Sequence, residues 1–499
     1  MMQSYQGNNT MGLLEEKREE MIRQFLSSWF LMGGFLSSDT YKRTMWSADE
    51  GLSALHSTYH LTLRKGLPET GADERLIMSG HEWLLRQYFL KPLKRKDLEL
   101  AAAWYAERAA VKAFPSKLYK DLMDRSEGED IFLPVDVWGF PGGQTFFSGI
   151  PCMSFEGPGG IVSFIEPQMC RYYGSIIHAT KGRLMHEAAG ERHAEFGYRA
   201  DPDEIMAIAK LLSIYTGNGG IPVFTSCDAA EFMFPHMFRS IGTIGHEFLS
   251  ALQSFSKDLE EAELEAMDVF VSGIGNASLL SDLVDAESVG MKNAIRIMKK
   301  YPDNNKIGIR VDSGDIAGQC VRYYKKMKEE GIENRLIVFE NEVTPDKVRE
   351  VHDIFKKETG MDPVILFPGA GGYYYRMFHR DTVSAAFKRS MTEDRPNIKF
   401  SNSPGKESIP GRIRVYEKDD MLIVADKDEE IDGTLLFEKL VEQGRIINPE
   451  DMNFTVQAKR ANETWNRYRG FTLSPRIYKW KTLFEDMKNK TVSRISADI

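Results

Sequence analysis

Between about residue 160 and residue 380, short apolar runs alternate with stretches of helical periodicity. No other feature restricts the fold of this chain so strongly. Residues 221–224 (IPVF), 279–284 (LLSDLV), 307–311 (IGIRV), 336–339 (LIVF) and 363–367 (PVILF) read as buried strands, and residues 288–300, 315–330 and 344–358 read as the helices between them. A helical crossover returns the chain to the edge where the previous strand began, so neighbouring strands must run parallel. Several such units in succession predict a closed or nearly closed β/α barrel, with a doubly wound open sheet as the alternative.

On either side the periodicity changes. Residues 11–38 are helical and amphipathic in pattern, 59–63 are strand-like, and 76–125 are rich in helical pattern. Residues 131–155 are β-like, with turn signals at Gly139, Gly142 and Gly143. From about 386 short strands and turns return, with a helix expected near 434–443 and a charged, amphipathic end. The expected organisation is an irregular β/α barrel over 160–385 and a flanking α+β domain built from both chain ends. Its N-terminal part covers 39–159 after a helical segment over 1–38, and its C-terminal part covers 386–499.

Composition narrows the function classes. Of 499 residues, 42% are hydrophobic and 27% charged, which is ordinary for a soluble globular chain, and the net charge is −9. An acidic balance argues against a nucleic-acid or membrane-surface protein. The apolar stretch at 25–36 is interrupted by Ser and Gly and is shorter than the roughly 20 residues of a bilayer span, and the N-terminus has no signal-peptide pattern. Cys152, Cys170, Cys227 and Cys320 form no C-x-x-C pair, so reduced thiols in a cytoplasmic protein are expected.

Polar residues directly after barrel strands have raised odds of function. Arg310-Val311-Asp312-Ser313-Gly314-Asp315 follows IGI: its carboxylates and arginine suit a Mg²⁺-polyphosphate, and its alternative role is a helix N-cap. Pro368-Gly369-Ala370-Gly371-Gly372 follows PVILF and suits a phosphate, or a plain turn. Gly242-Thr243-Ile244-Gly245-His246-Glu247 sets an imidazole at a helix start, able to act as nucleophile or proton carrier or to be merely solvated. Glu195-Phe196-Gly197-Tyr198-Arg199 combines a ring, a glycine and an arginine, fit for a flat anionic ligand or for a strand end with a core Phe. Asp285 and Glu342 add acids after two further runs, and exposed acids are the plain alternative.

These segments, with Asp39-Thr40-Tyr41-Lys42-Arg43-Thr44-Met45 before them and Lys399-Phe400-Ser401, Lys406 and Pro410-Gly411 after them, resemble in order the motifs of the nicotinate phosphoribosyltransferase family and its nicotinamide-using relatives. The resemblance covers roughly 37–420. It implies transfer of phosphoribosyl from phosphoribosyl pyrophosphate to nicotinate, with Mg²⁺, and with ATP phosphorylating His246. It also implies residue roles: Asp285 and Asp312 for Mg²⁺, Gly371 and Gly372 for the 5′-phosphate, and Arg64, Lys399 and Lys406 for anions. Phe196 and Tyr41 would sandwich the pyridine, Tyr41 coming from the second subunit of a homodimer, and Arg310 and Arg199 would meet the pyridine substituent and phosphate. Pro368–Gly372, and Ala200 after Arg199, are closer to the nicotinamide-using members. Ser226 stands where those members place an Asp, and a hydroxyl does not repel a carboxylate as an acid would. Nicotinate is therefore the expected substrate and nicotinamide the alternative. Quinolinate transfer needs a denser basic site. A non-catalytic sensor of phosphoribosyl pyrophosphate or nucleotide is the alternative from another class.

Overall fold

Seven short parallel strands form the central sheet: β1 (Ala194–Glu195), β2 (Val223–Thr225), β3 (Phe238–Ser240), β4 (Ala277–Leu280), β5 (Ile307–Val311), β6 (Ile337–Phe339) and β7 (Leu366–Ala370). Their order across the sheet is β3-β2-β1-β7-β6-β5-β4. Read as a ring, that is sequence order with one seam, between β3 and β4. The seam is laced by a side chain: Thr243 Oγ1 donates to the Ser278 carbonyl at 3.0 Å and accepts from the Ser278 N–H at 2.8 Å. Cyclic order with a stitched seam is the irregular barrel expected from the alternating pattern. Inside, Ala194, Val338 and Phe367 are buried, and Phe196, Phe224, Ile241 and Leu336 pack against them.

The computed structural model describes residues 7–28, 38–85, 89, 93–107, 116–202, 204–376, 378–401 and 407–497. Two compact units emerge, one of Lys181–Leu211 with Ile221–Arg376, which holds the barrel sheet, and one of Met1–Thr180, Leu212–Gly220 and Met377–Ile499. Much of the apolar stretch at 25–36 lies outside the described residues.

The second unit is built from both chain ends. In its seven-stranded sheet His56–Thr62 lies between Ala386–Thr392 and Pro151–Pro158, antiparallel to both. Ile413–Lys418 and Met421–Asp426 form a hairpin whose two turn residues, Asp419 and Asp420, have φ of 51° and 61°, the left-handed geometry that matches strand twist. The helix expected near 434–443 is not formed. Thr434–Leu435 and Glu438–Glu442 are strands, the latter paired with Asp136–Gly139. The apolar run there is short and bounded by Gly433 and Gly444, and a run of that length takes whichever structure its neighbours can pair with.

Two strands of the barrel are displaced from the apolar runs. β4 ends at Leu280, leaving Ser281 and Asp282 outside it. β7 takes in Pro368-Gly369-Ala370, so the glycine loop begins only at Gly371. Gly369 is required in that strand: a Cβ there would lie 2.7 Å from the Phe196 ring of the neighbouring strand end.

Candidate active site

All seven strands present their C-terminal ends on one side of the sheet, and most of the candidate residues stand there. The loop after β4 is pinned from several directions. Ser281 Oγ donates to the Tyr323 hydroxyl at 2.8 Å, with the Arg310 carbonyl 3.2 Å away, and the Tyr323 hydroxyl donates to the Ala286 carbonyl at 2.8 Å. Gly290 closes onto the Ser281 carbonyl so tightly that a Cβ would lie 1.8 Å from it. Asp285 caps the turn that follows, its Oδ1 accepting from the Ser288 N–H at 2.8 Å and the Ser288 hydroxyl at 2.5 Å. One oxygen of Asp285 is thus engaged in a helix cap, while Asp282, three residues earlier, faces the other candidates.

Asp282 joins two strand ends. His246 Nε2 lies 3.0 Å from Asp282 Oδ1, and Ser313 Oγ donates to Oδ2 at 2.7 Å. His246 opens the helix His246–Gln253 and its side chain is 51% exposed, so the imidazole is oriented by an acid yet open to a ligand.

Arg310, at the end of β5, has Asp312 at 3.7 Å and Glu340 at 3.8 Å. Its Nε is buried and bonds to nothing among the described residues. Glu340 directly follows β6. Burial pushes its carboxyl up to about 7, with Arg310 and Arg199 pulling down and Asp312 and Asp282 pushing up. Two acids, an acid of raised pKa and two arginines therefore share one electrostatic neighbourhood, a pattern concentrated at functional sites. The loop after Glu340 is strained, with Asn341 and Glu342 both left-handed at φ 69° and 52°. Glu342 itself is exposed and paired with Arg376 at 3.3 Å. Asp315 caps the helix Ile316–Glu329 by accepting from the Gly318 N–H at 3.1 Å. A groove of about 590 Å³ opens beside these loops, lined by Gly314, Asn341, Thr344, Lys347 and Arg376 among others. The Asp282–His246 pair and Arg310 are not in its lining, so the case for the site rests on its charges.

A different polar cluster lies under the segment 195–199. Lys210 bonds Glu195 and Asp201, each at 2.8 Å, and the Tyr375 hydroxyl. Glu195 Oε1 also accepts from the Gly197 N–H at 2.7 Å, and Tyr375 donates to the Gly197 carbonyl at 2.6 Å. This fixes Gly197, whose absent Cβ would lie 2.4 Å from the Tyr375 ring, and so holds the half-buried Phe196 and exposed Arg199 at the strand end. Ser226 is exposed directly after β2, and Gly371 and Gly372 follow β7 with open space at Gly372.

Asp282, Glu340 and Lys210 are absent from the sequence reading. The first two could have been found by ending each strand where its apolar run meets a polar pair, at Ser281-Asp282 and Glu340-Asn341. Lys210 lies within a helical segment, Glu204–Gly217, and carries no local signal. Tyr41 (50% exposed), the half-buried Arg64 and the exposed Lys399 belong to the second unit, and Lys406 lies outside the described residues.

Residues 193–401 match the nicotinate phosphoribosyltransferase (NAPRTase) family. The chain is 25% identical over 284 residues to a nicotinate phosphoribosyltransferase of Bacillus subtilis, covering 55% of this chain and 53% of that one. It thus spans about half the length of that relative. It is 24% identical over 434 residues to nicotinate phosphoribosyltransferase 2 of Arabidopsis thaliana, covering 76% and 74%. In fold it is similar to human nicotinic acid phosphoribosyltransferase, with a TM-score of 0.61 and 14% identity over 90% of this chain and 99% of that one. It is also similar to a nicotinate-nucleotide pyrophosphorylase from Pyrococcus furiosus, with a TM-score of 0.58 and 15% identity over 93% and 99%.

Proposed function

From the match of residues 193–401 to the nicotinate phosphoribosyltransferase family, we propose that the protein transfers phosphoribosyl from phosphoribosyl pyrophosphate to nicotinate. The products are nicotinate mononucleotide and pyrophosphate, and ATP hydrolysis is coupled through His246. The observation that carries this reading is the meeting of Arg310, Asp312 and Glu340 with the Asp282–His246 pair at one end of one parallel sheet.

As the C1–O bond breaks, C1 gains positive charge and the departing pyrophosphate negative charge, so preorganised charges lower the barrier. Arg310, whose buried Nε makes no hydrogen bond among the described residues, suits an anion, and Arg199 adds a second cation. The described residues hold no cluster of three metal-binding side chains. Mg²⁺ would enter with the pyrophosphate as part of the substrate, and Asp312 and the second oxygen of Asp285 would reach it through water. Phe196 would stack on the pyridine, Ser226 would leave its carboxylate unopposed, and the Gly371 and Gly372 amides would take the 5′-phosphate. Asp282, accepting from Nε2–H, leaves the His246 lone pair on Nδ1, which would accept the γ-phosphoryl of ATP as the bond to ADP breaks. The reading includes a homodimer with Tyr41 supplied by the second subunit, and a cytoplasmic location. No helix among the described residues is long and apolar enough to cross a membrane.

His246→Ala tests the coupling. ATP hydrolysis and ATP stimulation of product formation should both disappear while the protein stays folded. Product formation that ATP still stimulates would overturn the role of His246.

A further inference from the structure

The function proposed above gives two neighbouring segments to opposite ends of one product: Phe196–Arg199 to the pyridine and Gly371–Gly372 to the 5′-phosphate. They leave the sheet from adjacent strands. β1 and β7 pair in parallel, Ala194 beside Gly369 and Glu195 beside Ala370, and the Phe196 N–H donates to the Ala370 carbonyl at 3.0 Å. Among the described residues the two backbones exchange no hydrogen bond beyond that one. A side chain reaches across instead. Tyr375 ends the short helix Gly372–Tyr375, and its hydroxyl donates to the Gly197 carbonyl at 2.6 Å while touching Asp201 and Lys210. Its ring lies so close to Gly197 that a Cβ there would be 2.4 Å away. The helix has an anchor of its own, because the buried Lys181 donates from Nζ to the Tyr373 and Arg376 carbonyls at 2.8 and 2.5 Å. Lys181 thus fixes the side that carries the glycine loop, and Tyr375 fastens the segment at Gly197 to it.

We propose that Tyr375 is a positioning residue that sets the span between the pyridine and phosphate subsites, acting through the Gly197 carbonyl and not on the ligand. The proposal rests on the assignments of Phe196 and of Gly371 and Gly372 made above. Displacement at C1 requires the ring nitrogen to approach from behind, within about 3–3.5 Å. Phe196 fixes the ring and the glycine loop fixes the far end of the sugar phosphate, so the approach depends on the distance between them. Each subsite keeps its own contacts without the Tyr375 hydroxyl. What the hydroxyl adds is their separation.

Tyr375→Phe removes the hydroxyl and leaves Lys210 paired with Glu195 and Asp201. Should it not fold, Gly197→Ala takes its place, since the added Cβ pries the same joint from the other side. Calorimetric titration with three ligands tests the span. Nicotinate mononucleotide must bridge both subsites, and the variant should bind it at least about tenfold more weakly than wild type. Nicotinate and ribose 5-phosphate each occupy one subsite, and their Kd values should stay within about twofold of wild type. Amides over 198–201 should exchange with deuterium at least about tenfold faster, while those of 307–311 stay unchanged. A residue that only stabilises the fold would behave otherwise: unfolded protein lowers the number of sites titrated and leaves all three Kd values alone. An unchanged mononucleotide Kd therefore overturns the proposal. So does equal weakening of all three ligands, which would place Tyr375 within one subsite, and so does wild-type exchange over 198–201 in the folded variant. Failure of the proposed function would show in the wild type alone, as absence of mononucleotide binding, and would remove the span with it. A variant that binds and exchanges like a sound wild type removes only the role of Tyr375.

Discussion

Two polar clusters stand at strand ends of the same sheet, and they are built in opposite ways. Under the segment 195–199, Lys210, Glu195 and Asp201 are 1%, 0% and 5% exposed, and every one of them is bonded to another member of the cluster. Around Asp282 and Arg310, by contrast, His246 is half exposed, the ion pairs of Arg310 are 3.7 and 3.8 Å long, and its Nε makes no hydrogen bond among the described residues. The first cluster has used its bonding capacity on itself and can only hold shape. The second keeps charge in reserve for something that is not part of the chain. A motif that looks uniform in sequence, acids and bases after short strands, thus divides into scaffold and working groups according to whether its bonds are already satisfied.

The largest expected effect breaks the scaffold side. Lys210→Met leaves Glu195 and Asp201 buried without their cation, and breaking a buried pair in this way costs about 3–5 kcal/mol. Chemical denaturation should show that loss, and activity should follow the folded fraction. A Lys210→Met variant as stable as wild type would mean that the two clusters do not differ as described.

The working side should behave inversely. Asp282→Asn removes the acid that orients His246. Stability should change by under about 1 kcal/mol, as for other part-exposed pairs, while ATP-stimulated turnover should fall at least about tenfold, the scale of a misaligned proton or phosphoryl carrier. Denaturation and steady-state kinetics on the same preparation separate the two effects.

The smallest effect concerns pH. Glu340 titrates in the folded chain at about 7, above its ordinary range because of burial. Between about pH 4.5 and 7 the folded state keeps a proton that the unfolded state has lost, so this group's contribution favours folding at low pH and is lost as pH rises. Glu340→Gln should therefore leave stability near pH 4.5 unchanged and raise it at pH 8, by on the order of 1 kcal/mol. A variant less stable at pH 8 would assign Glu340 to the scaffold side.

The alternation of apolar runs and helices was enough to read the barrel, because strands buried on both faces need unbroken hydrophobic stretches. It could not show where each strand stops. β4 ends before Asp282 because Ser281 turns to bond Tyr323 beside the Arg310 carbonyl, and those neighbours are remote in sequence. The same limit hid Glu340, and it cast Pro368–Gly372 as a loop where β7 runs on to Ala370 beside Phe196. His246, Asp312 and Phe196 were legible because each directly follows a strand or opens a helix, and Arg310 because it interrupts the apolar run of β5 near its end. Lys210 was not, since its partners meet it only through the packing of Glu195, Asp201 and Tyr375. The strands at 434–442 were misread because a short apolar run between two glycines carries no period of its own.

The most direct test of the account is a steady-state assay of the wild-type protein with phosphoribosyl pyrophosphate and Mg²⁺, supplied in turn with nicotinate, nicotinamide and quinolinate, with and without ATP. Nicotinate should be converted to its mononucleotide with a kcat/KM at least about tenfold above that for nicotinamide, the discrimination expected when one charged contact separates two substrates. ATP should raise that rate, and quinolinate should be inert. Preference for nicotinamide, or binding of phosphoribosyl pyrophosphate with no turnover of any of the three acceptors, would contradict it.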